Sequence, residues 1–284
     1  MDYNFKEDLK SIREILELSQ SEMAEKIGVE QVTLSRSELG KTKPSSKLLE
    51  KVYSFAFENN VKINTLNEMF WKESVKDKQV LLFHGAKDEI VGKLKTTVGR
   101  KNNDFGQGFY AGESYNQAVS YVSNYDSSSV YFLVFEPRDL KCKKYGVDQD
   151  WMLTIASYRG VLGDYENHPM VKRLVEKSKE CDYIIAPIAD NRMFRIIDSF
   201  VSGEITDEQC VHCLSATNLG YQYVFTNKKA LDKAMIVERC YLSKSEKDYY
   251  ISSKGQENKI GEDKVKLARR KYRGKGKYID EILK

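Results

Sequence analysis

The sequence predicts an α+β protein of two domains, an all-α domain first and a mixed α/β domain after it. Three observations carry that expectation. The chain has 284 residues, more than one typical domain holds. Apolar residues recur at helical spacing through roughly the first 65 residues. From Gln79 onward, short β-forming runs alternate irregularly with helical patterns, without the strict βαβ order of a doubly wound sheet.

Composition narrows the class. Hydrophobic residues make up 41% of the chain and charged residues 31%, a globular balance that excludes disorder. No apolar run approaches the roughly 18 residues of a membrane span. The opening MDYNFKEDLK lacks the basic and apolar regions of a secretory signal. The five cysteines are odd in number and show no disulfide spacing. A cytoplasmic protein is expected, with no membrane partner. The net charge of +4 is uneven: residues 1–75 hold 11 Lys/Arg against 13 Asp/Glu, and residues 255–284 hold 10 against 5. Between Lys264 and Lys277 stand eight basic residues and no acid, a tail that attracts acidic surfaces or simply stays solvated.

The first helix follows from Leu9, Ile12, Ile15 and Leu16. Ser19 and Glu22 form the two halves of a capping box opening the second, with Met23, Ala24 and Ile27 as its apolar stripe. Gly28 closes it, a third helix runs over about 30–39, and Gly40 ends that one ahead of Pro44. Two short helices joined by a glycine turn make a helix-turn-helix, whose second helix enters a major groove. The stretch LKSIREILELSQSEMAEKIGVEQVTLSRSELGKTKPSSKLLEKV resembles, over nearly its whole length, the phage-repressor-like (Xre/Cro) family. That resemblance implies Gln20 on a phosphate and Gln31, Val32, Thr33 and Arg36 facing bases; Gln suits adenine, Arg guanine and a Thr methyl thymine. A net charge of −2 is poor for phosphate neutralisation, so a homodimer would help.

In the second domain, VLLFHG (80–85), VYFLVF (130–135), DYIIAPIA (182–189) and GYQYVFT (220–226) read as strands, and MIVERCYL (235–242) as an edge strand. Helices are expected over 115–125, 151–162, 169–179, 192–202 and 206–214, with a turn of helix over 228–234. The region around Asn102 and the C-terminal tail are the structureless candidates. Cys210 and Cys213 form a C-x-x-C around His212, which fits buried positions on a helix better than half a zinc site; no metal site is expected. His168 sits in a polar loop beside Pro169.

His84 in LFHG, Tyr110 ending GQGFY, Tyr121 eleven residues later and Gln222 in QYV have dull meanings singly. In this order they resemble the His-Tyr-Glu class of ADP-ribosyltransferases, the branch of diphtheria toxin and the poly(ADP-ribose) polymerases, and DFGQGFY and APIADNRMF look closer to an uncharacterised bacterial branch. The resemblance spans about 79–240 and implies a split-sheet domain that uses NAD as substrate. It implies His84 on the adenosine-side ribose, Gly85 on the nicotinamide carboxamide, and Tyr110 and Tyr121 sandwiching the nicotinamide ring, with Asp104, Phe105 and Gly106 along the same cleft. Arg100 and Arg192 are candidate pyrophosphate ligands.

The class's catalytic Glu is replaced by Gln222, which can bond a ribose hydroxyl but cannot act as a base. Its Ser on the carboxamide corresponds to Ala118. Asp190 is the first candidate for a substituting acid and Asp104 the second, although capping the helix that follows explains Asp190 equally well. The expected organisation is a helix-turn-helix domain over 1–70, a linker over 71–78, an ADP-ribosyltransferase-like domain over 79–242 and a basic tail over 243–284. The expected activity is mono-ADP-ribosylation of a protein or nucleic-acid acceptor by a toxin-like or defence effector of bacterial or phage origin, held in check by a separately encoded antitoxin. A transcriptional regulator that senses NAD or ADP-ribose without turnover is the alternative, and an NAD glycohydrolase the third reading.

Overall fold

The structure, a computed structural model, describes residues 1–217 and 220–284. In chain order its elements are α1 (Phe5–Ile15), α2 (Gln20–Ile27), α3 (Gln31–Glu38), α4 (Ser46–Glu58), α5 (Ile63–Ser74), β1 (Val80–Ala86), β2 (Phe109–Gly112), α6 (Tyr115–Val122), β3 (Ser129–Phe135), β4 (Cys142–Lys144), α7 (Gln149–Tyr158), α8 (Pro169–Lys179), β5 (Tyr183–Pro187), α9 (Asn191–Val201), α10 (Asp207–Ser215), β6 (Tyr221–Phe225), α11 (Lys228–Leu231), β7 (Ala234–Tyr241), α12 (Lys244–Lys271) and α13 (Ile279–Ile282). The α+β class is as expected. Among the described residues, no helix is long and apolar enough to cross a membrane.

The chain divides into two compact units, but not at residue 79. One comprises residues 1–92, 114–135 and 235–253, and the other residues 93–113, 136–234 and 254–284. The helical domain thus shares a unit with β1, α6, β3, β7 and the start of α12. Residues 71–74, expected in a linker, are the last turn of α5.

Within the first unit, Leu9, Ile12, Met23, Ala24, Leu34 and Val52 close the helical core. The Ser19–Glu22 capping box forms as expected, and Gly28 is left-handed with φ of 62°. Arg13 grips Glu38 with two guanidinium nitrogens and donates to the Leu18 carbonyl at 2.8 Å, tying α1 to α3 and to the turn before α2. Lys51 donates to the Ile27 and Gly28 carbonyls at 2.8 and 2.7 Å, a cation at the negative end of α2. β1 and β3 pair antiparallel, with His84 opposite Tyr131, and β7 lies beside β3. α6 packs so closely on β1 that a Cβ on Gly85 would lie 2.5 Å from the Ala118 carbonyl oxygen and 2.8 Å from Val122 Cγ1.

Buried carboxylates join these parts. Asn67 donates to Asp8 at 3.1 Å and to Glu238 at 2.7 Å, bridging α1 to β7, and the Trp71 indole also donates to Glu238. Tyr53 donates to Asp8 at 2.5 Å. Glu246, at the start of α12, accepts from the Tyr115 hydroxyl at 2.7 Å and from Asn64 at 2.9 Å. Burial pushes Asp8 up from its ordinary value, and pushes both Glu238 and Glu246 up to about 7.

The second unit holds a mixed sheet ordered β4-β5-β6-β2, parallel at β4–β5 and antiparallel elsewhere. Trp151, Met152, Ile184, Ile197, Phe200 and Val224 are the centre of its core. Cys210 and Cys213 are buried side chains of α10, as the helical reading expected. The tail expected to lack structure is instead helix α12 and a segment docked on α10. Its poor apolar periodicity hid a helix made of good helix formers. The Asp207 amide donates to the Lys277 carbonyl at 2.9 Å, Gln209 donates to the Arg269 carbonyl at 2.6 Å, and Ile279 and Leu283 enter the core. His168 is the N-cap of α8, accepting from the Met170 amide at 3.3 Å.

Two outcomes test this packing. Gly85→Ala will lose about 2 kcal/mol in a thermal or denaturant melt because its methyl meets backbone. Gly255→Ala, in open space on α12, will gain up to about 1 kcal/mol. A further outcome concerns pH. The unfolded chain releases the protons of Glu238 and Glu246 from about the ordinary value of 4.5, and the folded chain only near 7. Stability is therefore full below the lower value and falls between the two. The melting temperature will decline across that window, and Glu246→Gln will flatten the decline.

Candidate functional site

In the second unit, three separated segments converge on one carboxylate. Asp104 leads into Phe105-Gly106-Gln107-Gly108 and then β2. Its side chain is buried, and all its acceptor positions are used. Oδ1 accepts from Arg159 Nε at 3.1 Å and from Arg159 Nη2. Oδ2 accepts from the Ala189 amide at 3.3 Å and from Gln222 Nε2 at 2.7 Å. Arg159 follows α7, donates on to the Ala189 carbonyl at 2.8 Å, and lies 4.3 Å from the centre of the Phe194 ring. Gln222 sits on β6 between Gly112 of β2 and Ala186 of β5, and its amide nitrogen also donates to the Pro187 carbonyl at 3.2 Å.

The glycines before β2 are there for shape. A Cβ on Gly99 would lie 2.4 Å from the Gly108 carbonyl oxygen, and one on Gly108 would lie 3.0 Å from that of Phe225. Gly106 is left-handed, with φ of 70°. Tyr110 buttons this loop to the strand: its hydroxyl donates to the Gly106 carbonyl at 2.7 Å and accepts from the Phe105 amide at 3.1 Å. Burial pushes the Tyr110 hydroxyl far above the usual phenol value, so it stays neutral. Phe105 faces the core beside Tyr145 and Tyr158, which places its ring in packing.

Other expected site residues have different employment. Asp190 is the N-cap of α9, accepting from the Arg192 and Met193 amides at 2.9 Å each. Arg192, expected on a pyrophosphate, pairs with Asp190 at 3.1 Å and donates to the Asn258 carbonyl at 3.1 Å. Arg100 is exposed in the loop. The Tyr272 ring, among the tail's positive charges, stacks on His212 with centroids 3.5 Å apart. The eight basic side chains from Lys264 to Lys277 are exposed.

The first unit carries the remaining residues. His84 is half-buried on β1, Gly85 beside it is the point of closest approach to α6, and Tyr121 on α6 is 60% exposed. Ala118, on the same helix, packs against β1. On α3, Gln31, Val32, Thr33 and Arg36 all face outward while Leu34 and Ser37 face inward. Gln31 donates to Gln20 at 3.2 Å, which joins the first residues of α2 and α3 on the exposed side.

Sequence reasoning missed Arg159 and the Asp8–Asn67–Glu238 bridge. Arg159 belongs to no motif, and its only local signal is a charge immediately after an apolar helix. Glu238 carried a better signal, a carboxylate inside a strand otherwise rich in apolar residues.

A family profile described as Protein of unknown function (DUF3990) matches residues 80–235, and one described as Helix-turn-helix matches residues 9–52. No curated protein and no solved structure matches the chain.

Asp190 offers a direct check on the site. If it serves as a cap, Asp190→Asn will keep stability, because Asn caps equally well, whereas Asp190→Ala will lose about 1 kcal/mol in a denaturant melt. A loss on Asp190→Asn comparable to that on Asp190→Ala would show that the charge itself is needed.

Proposed function

The chain belongs to the DUF3990 family and carries a helix-turn-helix domain at its N-terminus, and from that premise we propose that it is a mono-ADP-ribosyltransferase coupled to a DNA-binding module. The observation that carries this reading is the meeting of Asp104 and Gln222. They come from DFGQGFY, which looks like an uncharacterised bacterial branch of the superfamily, and from QYV, which resembles the His-Tyr-Glu class; they stand 118 residues apart in sequence and share a 2.7 Å hydrogen bond. The replacement of the catalytic Glu by Gln222 is thus accompanied by a carboxylate at the same place.

The chemistry proposed is cleavage of the N-glycosidic bond between the nicotinamide nitrogen and the ribose of NAD. Nicotinamide leaves as a neutral molecule with the bonding pair, and an acceptor nucleophile on a protein or nucleic acid forms the new bond to the ribose carbon and gives up its proton to solvent water. The resemblance assigns the ribose and carboxamide to His84 and Gly85 and the ring to Tyr110 and Tyr121, and Gln222 would accept from a ribose hydroxyl. Orientation of the leaving group by remote contacts supplies part of the acceleration. With no base at Gln222, transfer of a single group fits better than chain elongation.

The outward set on α3 supports major-groove reading by Gln31, Val32, Thr33 and Arg36, with Gln20 on a phosphate. A homodimer would strengthen the weak electrostatics of the acidic N-terminal region. The basic side chains after Lys264 suit an acidic target. In a cytoplasmic toxin or defence effector, the helix-turn-helix would repress its own operon or deliver the transferase to nucleic acid, and an antitoxin would be encoded separately.

One observation favours the second reading, a regulator that senses NAD or ADP-ribose without turnover. The Asp104 carboxylate is wholly engaged by Arg159, Ala189 and Gln222, which leaves no free oxygen lone pair to meet an acceptor nucleophile.

Incubation of the purified protein with NAD separates the readings. Release of nicotinamide that His84→Ala and Tyr110→Ala each reduce at least tenfold is expected of the transferase, and a requirement for cell lysate would distinguish transfer from hydrolysis. Stabilisation by NAD without release would establish the sensor, and neither would reject both. For DNA, Arg36→Ala will weaken operator binding by roughly 1–3 kcal/mol and relax specificity at one position. Unchanged affinity would assign the exposed face of α3 to protein contacts.

A further inference from the structure

Gln222 is a group whose two ends differ: its nitrogen only donates hydrogen bonds and its oxygen only accepts them. The surroundings of the nitrogen are both acceptors, Asp104 Oδ2 at 2.7 Å and the Pro187 carbonyl at 3.2 Å. Turning the amide over would set its oxygen against a carboxylate and a carbonyl with no proton between them, and would leave buried acceptors facing each other. Asp104 cannot retreat, because the Arg159 guanidinium and the Ala189 amide hold it. Both side-chain hydrogen bonds of Gln222 among the described residues use its nitrogen, and neither uses Oε1.

We infer that Asp104, braced by Arg159, is a positioning residue that locks the Gln222 amide with its carbonyl oxygen presented to ligand, so that position 222 is an acceptor-only site for a hydroxyl donor such as a ribose. The lock depends on this chain's own side chains, while the identity of the ligand rests on the reading given under Proposed function. The lock keeps one capability of a carboxylate, accepting a hydroxyl proton in a hydrogen bond, and removes the other, accepting the proton itself. It also means that restoring the class's residue does not restore the site. Gln222→Glu would set a second carboxylate against Asp104 and the Pro187 carbonyl, where like charges disfavour ionisation.

The test has a ligand-free arm and a ligand arm. In the first, wild type, Gln222→Glu, Asp104→Asn and the double variant are melted at pH 5.5 and pH 8. Because the folded state holds the introduced carboxyl protonated, its penalty must grow as pH rises. Gln222→Glu is expected to melt lower than wild type by roughly 4 °C more at pH 8 than at pH 5.5. The double variant, which replaces the opposing acceptor by a group that donates, is expected to recover at least half of that. A deficit that does not grow with pH, or no recovery, overturns the lock. The side-chain amide protons of Gln222 in ¹⁵N-labelled protein give a second measure: slow solvent exchange in wild type, at least tenfold faster in Asp104→Asn, is expected. Should Asp104→Asn not fold, the wild-type exchange rate decides alone, and fast exchange overturns the proposal.

In the ligand arm, NAD is titrated against wild type and Asp104→Asn, with NAD lacking the nicotinamide-ribose 2′-hydroxyl as the comparison. At least tenfold weaker binding is expected on removing either the hydroxyl or the lock, with no further loss on removing both. Equal binding of the two nucleotides by wild type overturns the hydroxyl-acceptor assignment. A positive ligand-free arm with no NAD binding at all upholds the lock and rejects NAD as its ligand.

Discussion

A carboxylate withdrawn from water must find enough donors to replace its hydration, and Asp104 finds four. Those donors come from the end of α7, the chain after β5 and the middle of β6. Fixing Asp104 therefore fixes the relative placement of three segments that no local rule brings together. It also fixes the loop that Asp104 begins, whose glycines are demanded by close backbone approach and by a left-handed turn. Tyr110 closes the same loop with its hydroxyl, so the residue expected to hold a ring from one side is itself held by two hydrogen bonds at its far end.

The first unit solves the same problem differently. Asp8, Glu238 and Glu246 are surrounded by neutral donors: the Asn64 and Asn67 amides, the Tyr53 and Tyr115 hydroxyls and the Trp71 indole. With no cation supplying the main compensation, burial raises their proton affinity. Arg159, by contrast, meets Asp104 with a charged, planar fork suited to a carboxylate. The bridges of the first unit run from α1 and α5 to β7 and α12, with Tyr53 of α4 bonded to Asp8, so the helix-turn-helix is not a free module on a linker. Its outward face remains available because the buried contacts use α1, α4 and α5 and leave the exposed side of α3 untouched.

These arrangements bear on how a domain of this kind can act. Gln222 is not an isolated buried amide, since the residue opposite it is a carboxylate held by an arginine. The pair sets an amide that donates beside a carboxylate that accepts, which fixes which end of the amide faces which neighbour. The position and polarity of the amide matter in consequence more than its mere presence. The basic C-terminal segment likewise does two things at once, with its backbone and apolar residues anchored on α10 and the core while its charges stay in water.

The sequence by itself determined whatever depends on neighbours within a few residues. The Ser19–Glu22 box, the Gly28 turn, the inward Leu34 and outward Gln31, Val32, Thr33 and Arg36, and the β-forming runs at 80, 130, 183 and 221 all follow from local capping, period and propensity. The helical burial of Cys210 and Cys213 was legible for the same reason. Tertiary structure alone decided which faces meet. It joined Asp104 to Gln222 across 118 residues, recruited Arg159, turned Asp190 and Arg192 to holding the start of α9, and divided the chain into units that it enters more than once. It also docked a tail whose composition reads as solvated. The physical reason is that buried polar groups must be satisfied by whatever donors folding brings near, and sequence spacing does not encode that proximity.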